Sequence, residues 1–264
     1  MADERPRILV SNDDGVHAEG LAALVEAVSP LGDVWVVAPE SEQSAASHAI
    51  SLHRPLRIKR VRERVYAVDG TPTDCAYLAI NHLMKDHKPT LMVSGINHGA
   101  NMADDVTYSG TVAAAMEACL LGVPAIAFSL VARRDFDFTH AARFARSIAE
   151  AALSRLPLPS RLLLNVNIPG TGEPRGYAVT RLGKHSYGFD VVENVDPRGR
   201  KYYWIGGSGY EHDDIPGSDC NAVVRERLVS VTPLHMDLTE HRLMDALGQW
   251  QLAGFDKKPG PTGG

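Results

Sequence analysis

The segment ILVSNDDGVHAEG, residues 8–20, has the pattern of a strand, a tight turn and the start of a helix. Its first three residues are apolar, and the apolar spacing of residues 21–28 is typical of a helix. The polar residues between them therefore lie at the carboxyl end of a strand. In open α/β sheets, ligands bind at that edge.

Two adjacent carboxylates, Asp13 and Asp14, occupy this turn. Like charges this close together repel each other unless a cation lies between them, so the pair is a candidate metal site. The same residues are also ordinary turn formers, because Asp accepts hydrogen bonds from its own turn and Gly allows a positive φ. The turn alone leaves both interpretations open.

Outside this turn, strand-like and helix-like segments alternate as far as residue 169. Because this alternation is typical of βαβ units, it predicts an α/β fold with a doubly wound, mostly parallel sheet. Strands are predicted at residues 8–10, 34–38, 90–93, 125–129 and 162–166, and helices at 21–28, 75–84, 112–122 and 140–153. Within the segment 52–68, residues 56–61 alternate apolar and basic side chains, which predicts an exposed antiparallel ribbon.

The segment after residue 169 has a different character, with many Gly, Asp, Tyr and Pro residues. We expect a β-rich excursion and a carboxy-terminal arm over residues 170–256, with strands at 177–180, 202–205 and 223–232 and a last helix at 238–252. Together with the core at 7–169 this predicts one domain, residues 1–256. The Pro/Gly-rich tail, residues 257–264, is expected to be disordered.

The composition is ordinary for a globular protein of 264 residues, with 44% hydrophobic and 22% charged side chains. The net charge of −5 gives no general attraction to polyanions, so neither a nucleic-acid polymer nor an anionic membrane is an expected partner. No apolar run reaches the ~18 to 20 residues that a membrane span needs. The charged start, MADERPR, shows no signal peptide, so we expect a cytoplasmic location.

Several common catalytic and metal-binding motifs are missing from the sequence. There is no GxGxxG after the first strand, no Walker A motif and no GxSxG elbow. The eleven histidines show no HExxH spacing. The three cysteines, Cys75, Cys119 and Cys220, are too scattered to indicate a disulfide framework or a zinc knuckle.

Five motifs occur in an order that points to one family. They are NDDG at 12–15, APESEQS at 38–44, GTPTDC at 70–75, SGINHGAN at 94–101 and YSGTVAAAMEA at 108–118. Together they resemble the survival protein SurE family of metal-dependent nucleotidases. The similarity covers about the first 130 residues and continues more loosely through TRLGKHSYG and VSVTPL.

The resemblance implies a Rossmann-like α/β core, a carboxy-terminal arm used in a homodimer or homotetramer, and hydrolysis of nucleoside 5′- and 3′-monophosphates. Some members also cleave short-chain polyphosphate. By motif match, the family's divalent-metal ligands fall on Asp13, Asp14, Ser44 and Asn97. Its phosphate-binding groups fall on Asn101, Ser109, Gly110 and Thr111.

The chemistry of these residue types agrees with the resemblance. Two carboxylates, a hydroxyl and an amide oxygen form an all-oxygen set, which suits one Mg²⁺ or Mn²⁺ ion. The expected mechanism is attack of a metal-associated water on a phosphate held at residues 109–111. Either Asp13 or Asp14 could serve as the base. His98 is a candidate for protonating the leaving alcohol, or a structural turn residue.

Two alternatives compete with this interpretation. A haloacid-dehalogenase-like phosphatase with Asp13 as nucleophile requires Asp-x-Asp, whereas here the two carboxylates are adjacent. A non-catalytic nucleotide-binding regulatory module would be favoured by the loss of a carboxylate or of Asn97, and neither is lost.

Overall fold

The computed structural model describes residues 5–159, 161–187, 191–205 and 210–251. The chain divides into two compact units, residues 1–234 and 235–264. The predicted disordered tail, residues 257–264, lies outside the described residues. The single-domain boundary at residue 256 stays a prediction.

The first unit is built on a sheet that has nine strands in the described residues. They are β1 (Arg7–Ser11), β2 (Asp33–Pro39), β3 (Ile58–Arg62), β4 (Val65–Val68), β5 (Leu91–His98), β6 (Ala125–Val131), β7 (Leu163–Pro169), β8 (Tyr177–Val179) and β13 (Val229–Pro233). Their order in the sheet is β3-β4-β2-β1-β5-β6-β7-β13-β8. The six strands from β4 to β7 in this order are parallel. Toward the two edges, β3 is antiparallel to β4 and β13 is antiparallel to β7. The predicted α/β class with a doubly wound, mostly parallel sheet is therefore confirmed.

Helices cover both faces of this sheet. They are α1 (Glu19–Val28), α2 (Pro72–Leu78), α3 (Gly110–Leu120) and α4 (Thr139–Leu153). Helices α1 and α4 pack together on one face, and α2 and α3 pack together on the other. Strand β1 is buried from both sides: Ile8 and Val10 join the core beneath α1 and α4, while Leu9, which alternates with them, is equally inaccessible. An uninterrupted apolar run is the expected sequence of such a strand.

Strand order creates a ligand-binding edge beside β1. From β1 the chain crosses to β2 and then to β4 on one side, and it returns to β5 on the other side of β1. This reversal is the topological switch point of an open α/β sheet, and the turn after β1 opens into the crevice there.

Three local predictions differ from the structure. Strand β5 does not end at residue 93 but continues to His98, with a register shift between Ser94 and Asn97. A Cβ at Gly95 would lie 2.3 Å from the carbonyl oxygen of Phe128, so only glycine fits this irregular strand. Helix α2 ends at Leu78 and is extended by a π-helical turn, Ala79–Leu83. The first residues of the predicted strand at 223–232 belong to a second π-helical turn, Asn221–Arg225. Within the predicted range, strand conformation starts only at β13.

In its described residues, the excursion contains two short antiparallel ribbons besides the main sheet. One joins β10 (Val191–Val195) to β11 (Lys201–Ile205), and the other joins β9 (His185–Tyr187) to β12 (Tyr210–His212). The second unit contains α5 (His241–Gly248), which is shorter than the predicted helix at 238–252. Within the described residues, no helix is both long and apolar enough to cross a bilayer.

Candidate metal and phosphate site

The turn after β1 is fixed by its own asparagine. The Asn12 side chain donates from Nδ2 to the carbonyl of Gly15 at 3.0 Å, and its Oδ1 accepts the Gly15 amide at 3.2 Å. This reciprocal pair closes the turn without using either carboxylate. Asp13 and Asp14 are therefore available to face the crevice.

Asp13 is a buried carboxylate at the amino terminus of α3. Its side chain is only 5% exposed, and the Thr111 hydroxyl donates a hydrogen bond to its Oδ1. Burial raises the pKa of Asp13 to about 6, and hydrogen bonds from Thr111 oppose that rise while the neighbouring Asp14 charge adds to it. A carboxylate that is buried beside a second carboxylate requires a cation or a proton to offset its charge.

Asp14 faces a histidine at the end of β5. The His98 amide donates to Asp14 Oδ2 at 3.3 Å, and His98 Nδ1 lies 3.0 Å from the same oxygen. The imidazole stands edge-on to Phe136 and Phe138, with ring centroids 4.8 and 4.9 Å away. These contacts hold the ring in place, and they favour a positioning role for His98 at Asp14.

The amide oxygen of Asn97 is linked to Asp13 through the hydroxyl of Thr111. The Asn97 Nδ2 donates to the Gly99 carbonyl at 3.0 Å, which fixes the orientation of the amide. Its Oδ1 then lies 3.3 Å from the Thr111 hydroxyl, which also contacts Asp13. Three of the residues predicted from the sequence therefore meet at one hydroxyl.

The loop after β2 reaches the same edge, although Ser44 itself points elsewhere. The Gln43 amide donates to the Asp13 carbonyl at 2.8 Å, which places the loop against the turn. The Ser44 hydroxyl is exposed and donates to Glu42 at 2.6 Å. The structure thus brings the backbone beside Ser44 to the site, while its hydroxyl pairs with a neighbouring carboxylate.

The four predicted phosphate-binding residues occupy two places. Ser109 caps α3, since its hydroxyl accepts the Val112 amide at 3.1 Å, and Gly110 and Thr111 form the first turn. Asn101 is buried, and its Nδ2 donates to the Ser129 hydroxyl at 2.8 Å. Its backbone is held by the side chains of Asn165 and Asn167 on β7.

Sequence reasoning did not assign two features of this site. Thr111 was expected to bind phosphate, yet its hydroxyl contacts Asp13 and Asn97. The aromatic pair around His98 carries no local motif, because Phe136 and Phe138 lie in an irregular segment before α4. Neither feature has a sequence signal, since each depends on how β5 and α3 are placed in space.

The fold and this edge define an α/β protein with a carboxylate site at the switch point of a parallel sheet. The family model described as "Survival protein SurE" matches residues 8–189. The chain therefore belongs to the SurE family.

Individual relatives match over nearly their whole length. A protein of Myxococcus xanthus named "5'-nucleotidase SurE" is 74% identical over 257 residues, covering 97% of this chain and 98% of the relative. A protein of the same name from Anaeromyxobacter dehalogenans is 59% identical, with 97% and 100% coverage. The crystal structure of the SurE protein from Aquifex aeolicus superposes with a TM-score of 0.82 at 40% identity, covering 92% of this chain and 98% of that one.

Proposed function

We propose that this chain is a divalent-metal-dependent nucleotidase that hydrolyses nucleoside 5′- and 3′-monophosphates to nucleoside and phosphate. The observation that carries the proposal is the buried Asp13 beside Asp14 at the switch-point edge of the sheet. The names of its relatives, 5'-nucleotidase SurE, support the same activity. Activity on the 3′-monophosphates and on short-chain polyphosphate rests on the family resemblance.

The donor set fits one hard divalent cation. Asp13, Asp14 and Asn97 offer carboxylate and amide oxygens, which are the ligands that Mg²⁺ and Mn²⁺ prefer. We assign the metal to these three residues together with Ser44, whose hydroxyl would have to leave Glu42. When bound, the cation would polarise the phosphoryl group and lower the pKa of a water molecule.

The residues of the chain itself position the substrate and the carboxylates. The amino terminus of α3 presents a favourable dipole to an anion, and Gly110, which has no side chain, lets Asp13 approach the backbone there. Thr111 orients Asp13, and His98 orients Asp14. Asp13 or Asp14 would accept the proton from the attacking water, because both carboxylates face the crevice.

The test is phosphate release from a panel of nucleoside 5′- and 3′-monophosphates, with Mn²⁺ or Mg²⁺ and with excess chelator. Wild type is compared with Asp13→Asn, Asp14→Asn and the control Asp86→Asn, which changes an exposed carboxylate in a distant turn. We expect release that requires metal, is lost in the first two variants and is retained in the control. Nucleotide binding without any release by wild type would instead indicate a regulatory module.

We further propose that the chain assembles as a homodimer or homotetramer through the β10–β11 ribbon. Its strands are exposed along their whole length, and Trp204 and Ile205 are 66% and 89% exposed. Large apolar side chains grouped in this way are typical of an interaction surface. Light scattering should give a multiple of the chain mass for wild type and the single-chain mass for Trp204→Ser combined with Ile205→Ser.

A further inference from the structure

A histidine pair and a cysteine meet in the β-rich excursion. His185 and His212 are directly opposite each other across the β9–β12 ribbon, and Cys220 precedes the π-helical turn that follows it. One ligand atom from each residue lies within 4.8 Å of the others. His185 and Cys220 are buried and His212 is partly buried.

We propose that His185, His212 and Cys220 form a second metal site, which takes a borderline-soft divalent cation of the Zn²⁺ type. Two imidazoles and a thiolate are a ligand set that zinc uses, with water or a further group as the fourth ligand. A Zn²⁺ ion with bonds of about 2.0 to 2.3 Å would require the three atoms to move closer by no more than about 1.5 Å. This ligand set shares no residue with the oxygen site at Asp13 and Asp14.

The surroundings of the cluster fit a cation. His185 Nδ1 lies 3.0 Å from Asp105 Oδ2, so the ring is oriented by a carboxylate and Nε2 is the nitrogen that would bind metal. A carboxylate behind a ligating histidine is the usual arrangement in zinc proteins. His212 Nδ1 is buried and has no hydrogen-bond partner among the described residues. Buried polar atoms normally have a partner, and a bound metal ion would supply one here.

Asp219 adds a second negative charge beside Cys220. Its carboxylate accepts the amides of Gly183 and Cys220 through Oδ1 and the amide of Ala103 through Oδ2. In the absence of metal, burial and the Asp219 charge raise the pKa of the Cys220 thiol to about 12. Metal binding would therefore release the thiol proton to solvent and leave a thiolate whose charge the cation offsets.

Such a site would connect the excursion to the loop that enters α3. Asp105 lies in the 3₁₀ helix Ala103–Thr107, and its carbonyl accepts the amides of Tyr108 and Ser109. The residue that orients His185 therefore also holds the segment that begins the candidate phosphate site.

Binding of cobalt(II) tests the proposal, because Co²⁺ can replace zinc in protein sites. A thiolate–Co²⁺ bond gives an absorption band in the near ultraviolet. An all-oxygen site has no such band. Chelator-treated wild-type protein should develop this band, saturating at one Co²⁺ per chain. Cys220→Ala should lose the band, and the matched control Cys119→Ala, which removes another buried thiol, should keep it. Asp13→Asn combined with Asp14→Asn should also keep it, which separates this proposal from the nucleotidase proposal.

Two further variants cover the case in which Cys220→Ala fails to fold. His212→Ala removes one ligand from a partly buried position, and Asp105→Asn removes the carboxylate behind His185. Each should lower the affinity for Co²⁺, measured from the thiolate band, by at least about 10-fold. The proposal is overturned if wild type shows no band, if a folded Cys220→Ala keeps it, or if neither of these two variants changes its affinity.

Discussion

Gly110 leaves the space that Asp13 occupies. A Cβ atom added at Gly110 would lie 2.8 Å from the Asp13 Cβ and 2.9 Å from its Oδ2. The first residue of α3 and the carboxylate after β1 are therefore in direct backbone-to-side-chain contact. Because Pro72 Cγ would lie 3.1 Å away on another side, the added methyl group has little room to escape.

We expect Gly110→Ala to displace Asp13 and to lower activity and metal affinity together. Overpacking costs about 1 to 3 kcal/mol, which exceeds the helix-propensity gain of at most about 1 kcal/mol. Metal titration and phosphate release measure the effect, and Gly110→Val should be worse in both. Unchanged activity in a folded Gly110→Ala protein would show that Asp13 tolerates displacement.

Asp13→Asn should stabilise the metal-free protein at high pH. Because folding raises the pKa of Asp13 from 3.8 to about 6, the ionised form is penalised in the folded state. This penalty on the folded state is absent at pH values below 3.8, grows as the pH rises from 3.8 to about 6, and is complete at higher pH. At pH near 8 the variant should gain up to about 3 kcal/mol in free energy of unfolding, and at pH ~3 it should gain nothing.

Urea unfolding in chelator at several pH values measures this difference. Mg²⁺ or Mn²⁺ that binds only the folded state should stabilise wild type. It should not stabilise Asp13→Asn, because this variant lacks one of the carboxylates that bind the metal. A variant that is less stable than wild type at the higher pH would contradict the assignment of burial as the dominant effect.

Thr111→Val should impair catalysis while leaving the shape of the core unchanged. The substitution removes the hydroxyl that donates to Asp13, and a hydrogen bond to a charged group contributes about 1.5 to 3 kcal/mol. We expect activity to fall about 10- to 100-fold and the acid limb of the pH–rate profile to move to higher pH, since that hydrogen bond lowers the pKa of Asp13. Thr111→Ser keeps the hydroxyl and should retain most of the activity.

Ser44→Ala tests the proposed metal ligand whose hydroxyl donates to Glu42. If Ser44 leaves Glu42 and binds the metal, the variant should need more Mn²⁺ to reach half-maximal activity. Ser41→Ala is the matched control, because Ser41 is an exposed serine of the same loop. Equal metal requirements in both variants would remove Ser44 from the ligand set.

Thr71→Ala should reduce stability without a direct effect on chemistry. Thr71 and Asp74 form a reciprocal capping box at α2, with the Asp74 amide donating at 3.1 Å and the Thr71 amide donating at 2.9 Å. Loss of the cap costs about 1 kcal/mol, within a range of about 0.5 to 2. Urea unfolding should show this loss, whereas Thr71→Ser should be close to wild type.

The sequence by itself determined the features that depend on near neighbours along the chain. The strand β1 and the turn at residues 12–15 were both predicted, because periodicity and turn chemistry act over a few residues. The exposed β3–β4 ribbon was also predicted from its alternation. The family motifs placed Asp13, Asp14 and Asn97 at strand ends, and the strand order then brought them to one edge.

Only the tertiary structure decided the contacts between distant segments. Thr111 reaches Asp13 across 98 residues of sequence, and no local pattern specifies that contact. The direction of the Ser44 hydroxyl was likewise set by its neighbour Glu42. His185, His212 and Cys220 have no metal-binding spacing in the sequence, and they meet because a ribbon pairs the two histidines and the following turn returns the cysteine to them. Such juxtapositions follow from strand order and register, which are properties of the whole packed chain.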